Sequence, residues 1–281
     1  YTGHTINFTA GSNVKNQKRV KSDLSERTRP DANSSLSLGI YNAFHKPGDT
    51  SGLDHWISNR LGQAPILFQI QDANRSRLLL NDYLQDNGFF NSSVTFDTSI
   101  QQKKVEVQYT INSTGQYEIR DIHLPQDSTM LDSLILTNQK KSALQVGQPY
   151  RIAELDTERN RLEQLARNRG FFQFDKSYLY FFADTTVGQQ QTDLFLRIKP
   201  PSDSTQHEPF YIADVVVYPT YNLDQSVGTF ETDTLYYEDL QVIQNYDFVK
   251  PATLARAVAQ KPGDLFSQSF QQQTVNHLLD L

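Results

Sequence analysis

Residues 75–96, RSRLLLNDYLQDNGFFNSSVTF, and residues 159–180, RNRLEQLARNRGFFQFDKSYLY, follow one script. Each carries leucines at helical spacing, closes on a polar residue and a glycine (Asn87-Gly88, Arg169-Gly170), and passes through Phe-Phe into a β-rich segment. The two glycines lie 82 positions apart (170 − 88). A period that long means repeated small domains, because a solenoid unit runs to ~20–50 residues. The glycine has a physical reason. A helix commonly ends on a residue in the left-handed conformation, where a side chain costs energy and glycine does not. Gly88 and Gly170 are therefore expected as helix C-caps, with Phe-Phe dropping apolar mass onto the core as the next strand begins.

The repeat has further parts. A Gly-x-Pro-type lead-in precedes each helix, Gly62-Gln63-Ala64-Pro65 and Gly147-Gln148-Pro149-Tyr150, and a third appears at Lys261-Pro262-Gly263-Asp264-Leu265-Phe266. Each Phe-Phe is followed by paired strand patterns: 94–96 with VEVQYTI (105–111), then SYLYFF (177–182) with LFLRI (194–198). Period-two alternation of this kind marks half-buried strands. A further alternating segment follows each pair, YEIRDIHL (117–124) and FYIADVVVYP (210–219). The unit reads β–α–α–β–β. The expected class is α+β, each unit a small three-stranded mixed sheet with two helices on one face.

That order resembles the POTRA domain, a module that lines up as a periplasmic arm before the outer-membrane barrel of BamA/TamA-family assembly proteins. The residues carrying the resemblance are Tyr117-x-Ile119-x-x-Ile122 and Tyr211-Ile212-Ala213-x-Val215 for the opening strand. Next come Gly147-x-x-Tyr150 and Gly263-x-x-Phe266 before the second helix, then the helix ending in Gly-Phe-Phe. The likeness spans most of residues 60–281. It implies three units: 1–115 with an insertion near 31–61, 116–203, and 204–281, the last incomplete and carrying an insertion near 220–246. It also implies a non-enzymatic scaffold that receives unfolded outer-membrane proteins or an accessory assembly protein. A C-terminal outer-membrane β-barrel would follow in the full-length chain. The implied location is the periplasm and outer membrane of a diderm bacterium. Some members are lipid-anchored, so a TamA-like lipid-anchored variant falls within the expectation.

Composition agrees. At 281 residues the chain has room for two or three small domains. A mean hydropathy of −0.57 and the absence of any run near ~20 apolar residues leave no bilayer-spanning helix pattern. A net charge of −6 argues against nucleic acid as a partner. Zero cysteines exclude disulfides and thiolate metal sites. The chain opens on Tyr1-Thr2-Gly3 without a signal peptide and closes at Leu281 inside a helix pattern, which reads as a mature fragment.

The first unit opens on HTINF (4–8), with Ile6 and Phe8 on one face, and a first helix over 14–28 carries Val14, Val20 and Leu24 before Pro30. Residues 31–61, with turn clusters at 45–52 and the only tryptophan, Trp56, read as a long connection, best taken as a packing flap over the sheet. The second unit expects strands at 117–124, 177–183 and 192–199 and helices at about 127–141 and 151–169, the latter with Leu155, Leu162, Leu165 and Ala166 as its stripe. In the third, Pro251 suits the first turn of a helix bearing Leu254, Ala257 and Val258. Joints between units are expected near 114–116 and 200–208.

No catalytic constellation stands out. The six histidines form no His-x-x-x-His pair, Asp54-His55 lacks a third ligand, and nucleophile-elbow and phosphate-loop glycine patterns are absent. Glu231, Asp233, Glu238 and Asp239 cluster in the third-unit insert but read as solvated surface. No cofactor and no metal are expected. The 14 tyrosines and 17 phenylalanines read mainly as core, Tyr178, Tyr180 and Phe182 included, while insert aromatics such as Tyr236-Tyr237 are candidates for contact. Small sheets expose edges, and an extended partner can add a strand there through backbone hydrogen bonds. In POTRA domains the second strand is the usual free edge, which places candidate partner-binding residues at Val94, Thr95 and Phe96 and at Tyr178, Leu179 and Tyr180. Thr95 and Leu179 are expected to point outward. The rival reading is an α+β carbohydrate-binding or enzymatic module using the aromatic inserts.

Overall fold

The computed structural model describes residues 3–10, 12–48, 51–102, 104–126, 128–202, 207–219, 233–244 and 249–281. Most of the expected 220–246 insert, Glu231 included, lies outside them. Contacts gather the chain into two compact units, one of residues 1–121, 146–153 and 184–193, the other of 122–145, 154–183 and 194–281. Among the described residues no helix is long and apolar enough to cross a membrane.

The element order is β1 (Gly3–Phe8), α1 (Gln17–Ser25), α2 (Ser35–Phe44), α3 (Leu53–Arg60), α4 (Ile70–Asp86), β2 (Ser92–Gln101) and β3 (Lys104–Ser113). It continues with β4 (Glu118–His123), α5 (Met130–Thr137), α6 (Ile152–Arg167), β5 (Leu179–Asp184) and β6 (Gln191–Ile198). The remainder is β7 (Val215–Val217), β8 (Asp233–Tyr237), β9 (Leu240–Gln244), α7 (Pro251–Ala257) and α8 (Gln268–Leu279). The strands form three three-stranded sheets of one topology, β1-β3-β2, β4-β6-β5 and β7-β9-β8. In the first and third, the opening strand runs parallel to the central one and the remaining strand antiparallel. The α+β class and the three mixed sheets are as the sequence predicts.

The helices form where the apolar spacing requires. Leu80 and Leu84 of α4 are fully buried against Val107, Tyr109 and Ile111 of β3. In α6 the buried stripe is Leu155, Glu158, Leu162 and Ala166. Glu158 is the member that spacing of apolar residues cannot announce. Its carboxylate accepts from the Ala143 amide at 2.8 Å and from Arg161 at 2.6 Å and 2.8 Å, which satisfies a buried charge. Thr129 and Asp132 cap α5 reciprocally.

Two expectations need correction. Residues 31–61 are not a loop: α2 and α3 form a helical hairpin packed on itself, burying no apolar side chain, with Trp56 more than half exposed. Its base is tied by Asn33, whose amide donates to Ala64 O at 2.9 Å while its oxygen accepts from the Ile66 amide at 2.8 Å. Gly62 belongs to this hairpin. A Cβ there would stand 2.4 Å from Ser58 O, so its lead-in differs from the other two. Secondly, of the strand expected over 210–219, only 215–217 join a ladder, Tyr211 forming a single bridge to Leu265. The stretch at 114–116, where a joint is expected, is held in place. Gly115 is buried, and Gln190 donates to Thr114 O at 2.6 Å.

Candidate functional site

Each sheet leaves its antiparallel outer strand, β2, β5 or β8, with one side that pairs with no described strand. Each is a place where an extended chain can be added. Which backbone groups face outward follows from local geometry. β2 is paired residue for residue with β3, Thr95 opposite Thr110 and Thr98 opposite Val107. The Thr98 amide donates to its neighbour Asp97 Oδ1 at 2.8 Å instead of to β3. Backbone direction alternates along a strand, so Val94, Phe96 and Thr98 direct their N–H groups to the open side and Thr95 directs its own to the ladder.

β5 obeys the same rule. Tyr178 O accepts from the Lys199 amide at 2.8 Å, and the turn at 185–190 joins β5 to β6, a connection that an antiparallel pair permits. Tyr180 and Phe182 therefore direct their backbone to β6. Leu179, Phe181 and Ala183 direct theirs to the edge. At the end of the strand, the Thr186 hydroxyl and amide hold the Asp184 carboxyl below the ordinary carboxylate range.

The predicted residues divide accordingly. Val94 is buried, Phe96 packs on the same core and Thr95 points out, as expected. The β5 phase is reversed. Leu179 is 0% exposed and belongs to the core with Phe171, Phe174 and Leu196, so it does not point outward. Tyr178 is not in a strand. It closes a 3-10 turn, Lys176–Tyr178, capped by Asp175, and its ring meets Phe174 at 5.8 Å and His207 at 4.7 Å. Tyr180 and Phe182 are not core: they are 44% and 60% exposed.

Gly88 and Gly170 are left-handed, at φ 78° and 97°. The Phe89 amide donates to Leu84 O at 2.8 Å and the Gly88 amide to Gln85 O at 3.0 Å, a Schellman ending. Their surroundings add a second role. Gly88 O accepts from the Tyr117 amide at 2.9 Å and Gly170 O from the Phe210 amide at 2.8 Å. Phe90 meets Tyr117 and Tyr150 edge-on at 5.1 Å and 4.9 Å, and Phe172 meets Phe210 and Phe266 at 6.2 Å and 4.9 Å. Thus only the first Phe of each pair fills its own core. The second is clamped by two aromatics that lie downstream, and no local pattern links those positions.

The two lead-in glycines Gly147 and Gly263 match bond for bond. Gly147 donates to Ile119 O and Gly263 to Ile212 O, both at 2.7 Å. Asp54 pairs with Lys46 at 2.6 Å and His55 contacts Asn59, and among the described residues no three His, Asp or Glu side chains converge on a point that could hold a metal.

The sequence matches no family model and no curated protein. Among solved structures, 99% of the chain aligns with 84% of POTRA domains 3–5 of BamA from Haemophilus influenzae, at 13% identity and a TM-score of 0.41. The N-terminal domain of Omp85 from Thermosynechococcus elongatus aligns over 100% of this chain and 85% of its own, at 8% identity and a TM-score of 0.34. POTRA domains 1–3 of Omp85 from Anabaena align over 99% and 83%, at 10% identity and a TM-score of 0.30.

Proposed function

We propose that the chain is an arm of tandem POTRA-like units, bounded near residues 115 and 203, that binds extended polypeptide by strand addition and catalyses no reaction. In this reading it works in the periplasm, handing unfolded outer-membrane proteins, or an accessory partner, to a β-barrel that inserts or translocates them. One observation carries the binding mode: three sheets of one topology each leave an antiparallel outer strand open on one side. Backbone groups are common to all sequences, so an edge suits a binder of many clients. The twice-repeated Gly-Phe-Phe clamp supports a row of like units, in keeping with the likeness to POTRA domains read from the sequence.

The test removes edge donors without removing core. Ile100→Pro and Ala183→Pro each delete one outward N–H, Ile100 continuing the alternation of Val94, Phe96 and Thr98 with an exposed side chain, and proline is tolerated on an edge whose N–H faces solvent. Capture of a urea-unfolded outer-membrane β-barrel protein, followed by fluorescence anisotropy, should weaken about tenfold in the double variant, as two lost hydrogen bonds imply. The circular dichroism spectrum should be that of the parent. Unchanged capture would overturn strand addition.

A further inference from the structure

We propose that the outer face of β5 and β6 selects which extended polypeptides dock on the β5 edge, favouring strands whose outward residues combine aromatic rings with carboxylates. This rests on the strand-addition reading and names the class of client it prefers.

The face has a definite chemistry. Tyr180 and Phe182 of β5 stand out from the sheet, and Phe182 meets Phe195 of β6 with ring centres 6.1 Å apart. Phe195 in turn stacks on His123 at 4.3 Å. Two cations lie on these rings: Arg197 over Phe195 at 6.0 Å and Lys199 over Tyr180 at 5.6 Å. Phe195, Arg197 and Lys199 alternate with the buried Leu194 and Leu196, which puts all three on the outer side.

Among the described residues no carboxylate lies within ion-pair distance of Arg197 or Lys199. The chain as a whole carries −6, and the carboxylates that share this face are engaged, Asp193 by Arg120 and Asp184 by Thr186, so among the described residues Arg197 and Lys199 are a local excess of positive charge. A carboxylate on an added strand would meet them. Exposed rings beside cations are also the composition of interface anchors.

A strand added along β5 would bring its outward residues within ~5 Å of Tyr180 and Phe182, the range of cross-strand pairs. β6 lies one further strand spacing away, about 10 Å from the added strand, which a long cationic side chain spans to meet a carboxylate. Rings in the client would extend the Phe182–Phe195–His123 row. Its acids would meet Lys199 and Arg197.

The experiment compares synthetic peptides of equal length whose outward positions alternate Phe with Glu, Phe with Lys, or Ser with Gln. Binding to the chain is read by anisotropy. The Phe/Glu peptide should bind roughly tenfold tighter than Phe/Lys and about fivefold tighter than Ser/Gln. Arg197→Gln with Lys199→Gln should bring Glu and Lys peptides to parity while the preference for Phe over Ser survives. Tyr180→Thr with Phe182→Thr should do the converse. Both pairs are exposed, and their melting curves are expected to match the parent.

Equal binding of all peptides to the parent overturns the proposal, as does a Glu preference that survives removal of both cations. A Phe/Glu peptide N-methylated on alternate amides separates the two readings. If N-methylation abolishes binding while the parent shows no sequence preference, strand addition stands and selection by the face fails. If the preference is present and N-methylation is harmless, the face recognises side chains and strand addition fails.

Discussion

The β2 and β5 edges occupy the same place in sheets of the same topology, yet they present opposite chemistry. Beside β2 the outward residues are Ser93, Thr95, Asp97 and Ser99, backed on β3 by Glu106, Gln108 and Thr110. Beside β5 they are Tyr180, Phe182 and Asp184, backed by Asp193, which Arg120 neutralises, and by Phe195, Arg197 and Lys199. Connectivity thus fixes that an edge exists and which N–H groups it offers. The outer face, free of core packing, is where the two units differ. In the proposed reading, units of one topology offer one docking mode with a different preference at each edge.

The comparison breaks first if the facing of β5 is wrong. Leu179→Ala removes a fully buried side chain and should destabilise by ~2–5 kcal/mol. Tyr180→Ala and Thr95→Ala, both on outer faces, should stay within about 0.5–1 kcal/mol of the parent in urea melts. A Leu179→Ala variant as stable as Tyr180→Ala would return Leu179 to the surface.

The shared part of the two regions is the clamp after each helix. Alanine at Gly88 or Gly170 forces a side chain into the left-handed region, which costs about 1 kcal/mol before any contact is counted. Contacts add to this at both. A Cβ at Gly88 would meet the Tyr150 backbone oxygen at 2.9 Å, and at Gly170 it would meet Pro209 Cβ at 2.8 Å. Each alanine should therefore cost about 2 kcal/mol in chemical denaturation, since neither a peptide oxygen nor a proline ring carbon yields readily. Losses of only about 1 kcal/mol at both would show that the conformation alone accounts for the glycine.

What the sequence disclosed and what it concealed follow the same division. The helix stripes of α4 and α6, the alternation of β3 and β6 and the left-handed glycines are local consequences of burial and backbone sterics, so they are legible. The phase of β5 is not. The 3-10 turn at Lys176–Tyr178 uses up residues before the ladder starts, so SYLYFF alternates from Leu179 rather than from Tyr178. The hairpin α2–α3 escaped because Gly39, Pro47, Gly48 and Gly52 read as loop signals and its apolar residues fill no core. The clamp of Phe90 and Phe172 escaped for another reason: its partners are distant in sequence, and only the fold brings them together.

The smallest expected effect concerns Asp97, which makes the two edges unequal in their backbone as well as their faces. Its carboxylate takes the Thr98 N–H, one of the donors that an added strand would otherwise use. Occupying or charging an edge is a recognised way to keep it from pairing indiscriminately. Asp97→Ala frees that donor and should raise capture of a Ser/Gln peptide at β2 by about two- to threefold, the worth of part of one net hydrogen bond. Asp97→Asn keeps an oxygen in place and should behave as the parent does. If both substitutions raise capture alike, the guard at β2 is the negative charge and not the occupied amide. If neither does, Thr98 is not on the open side, and the alternation assigned to β2 must shift by one residue.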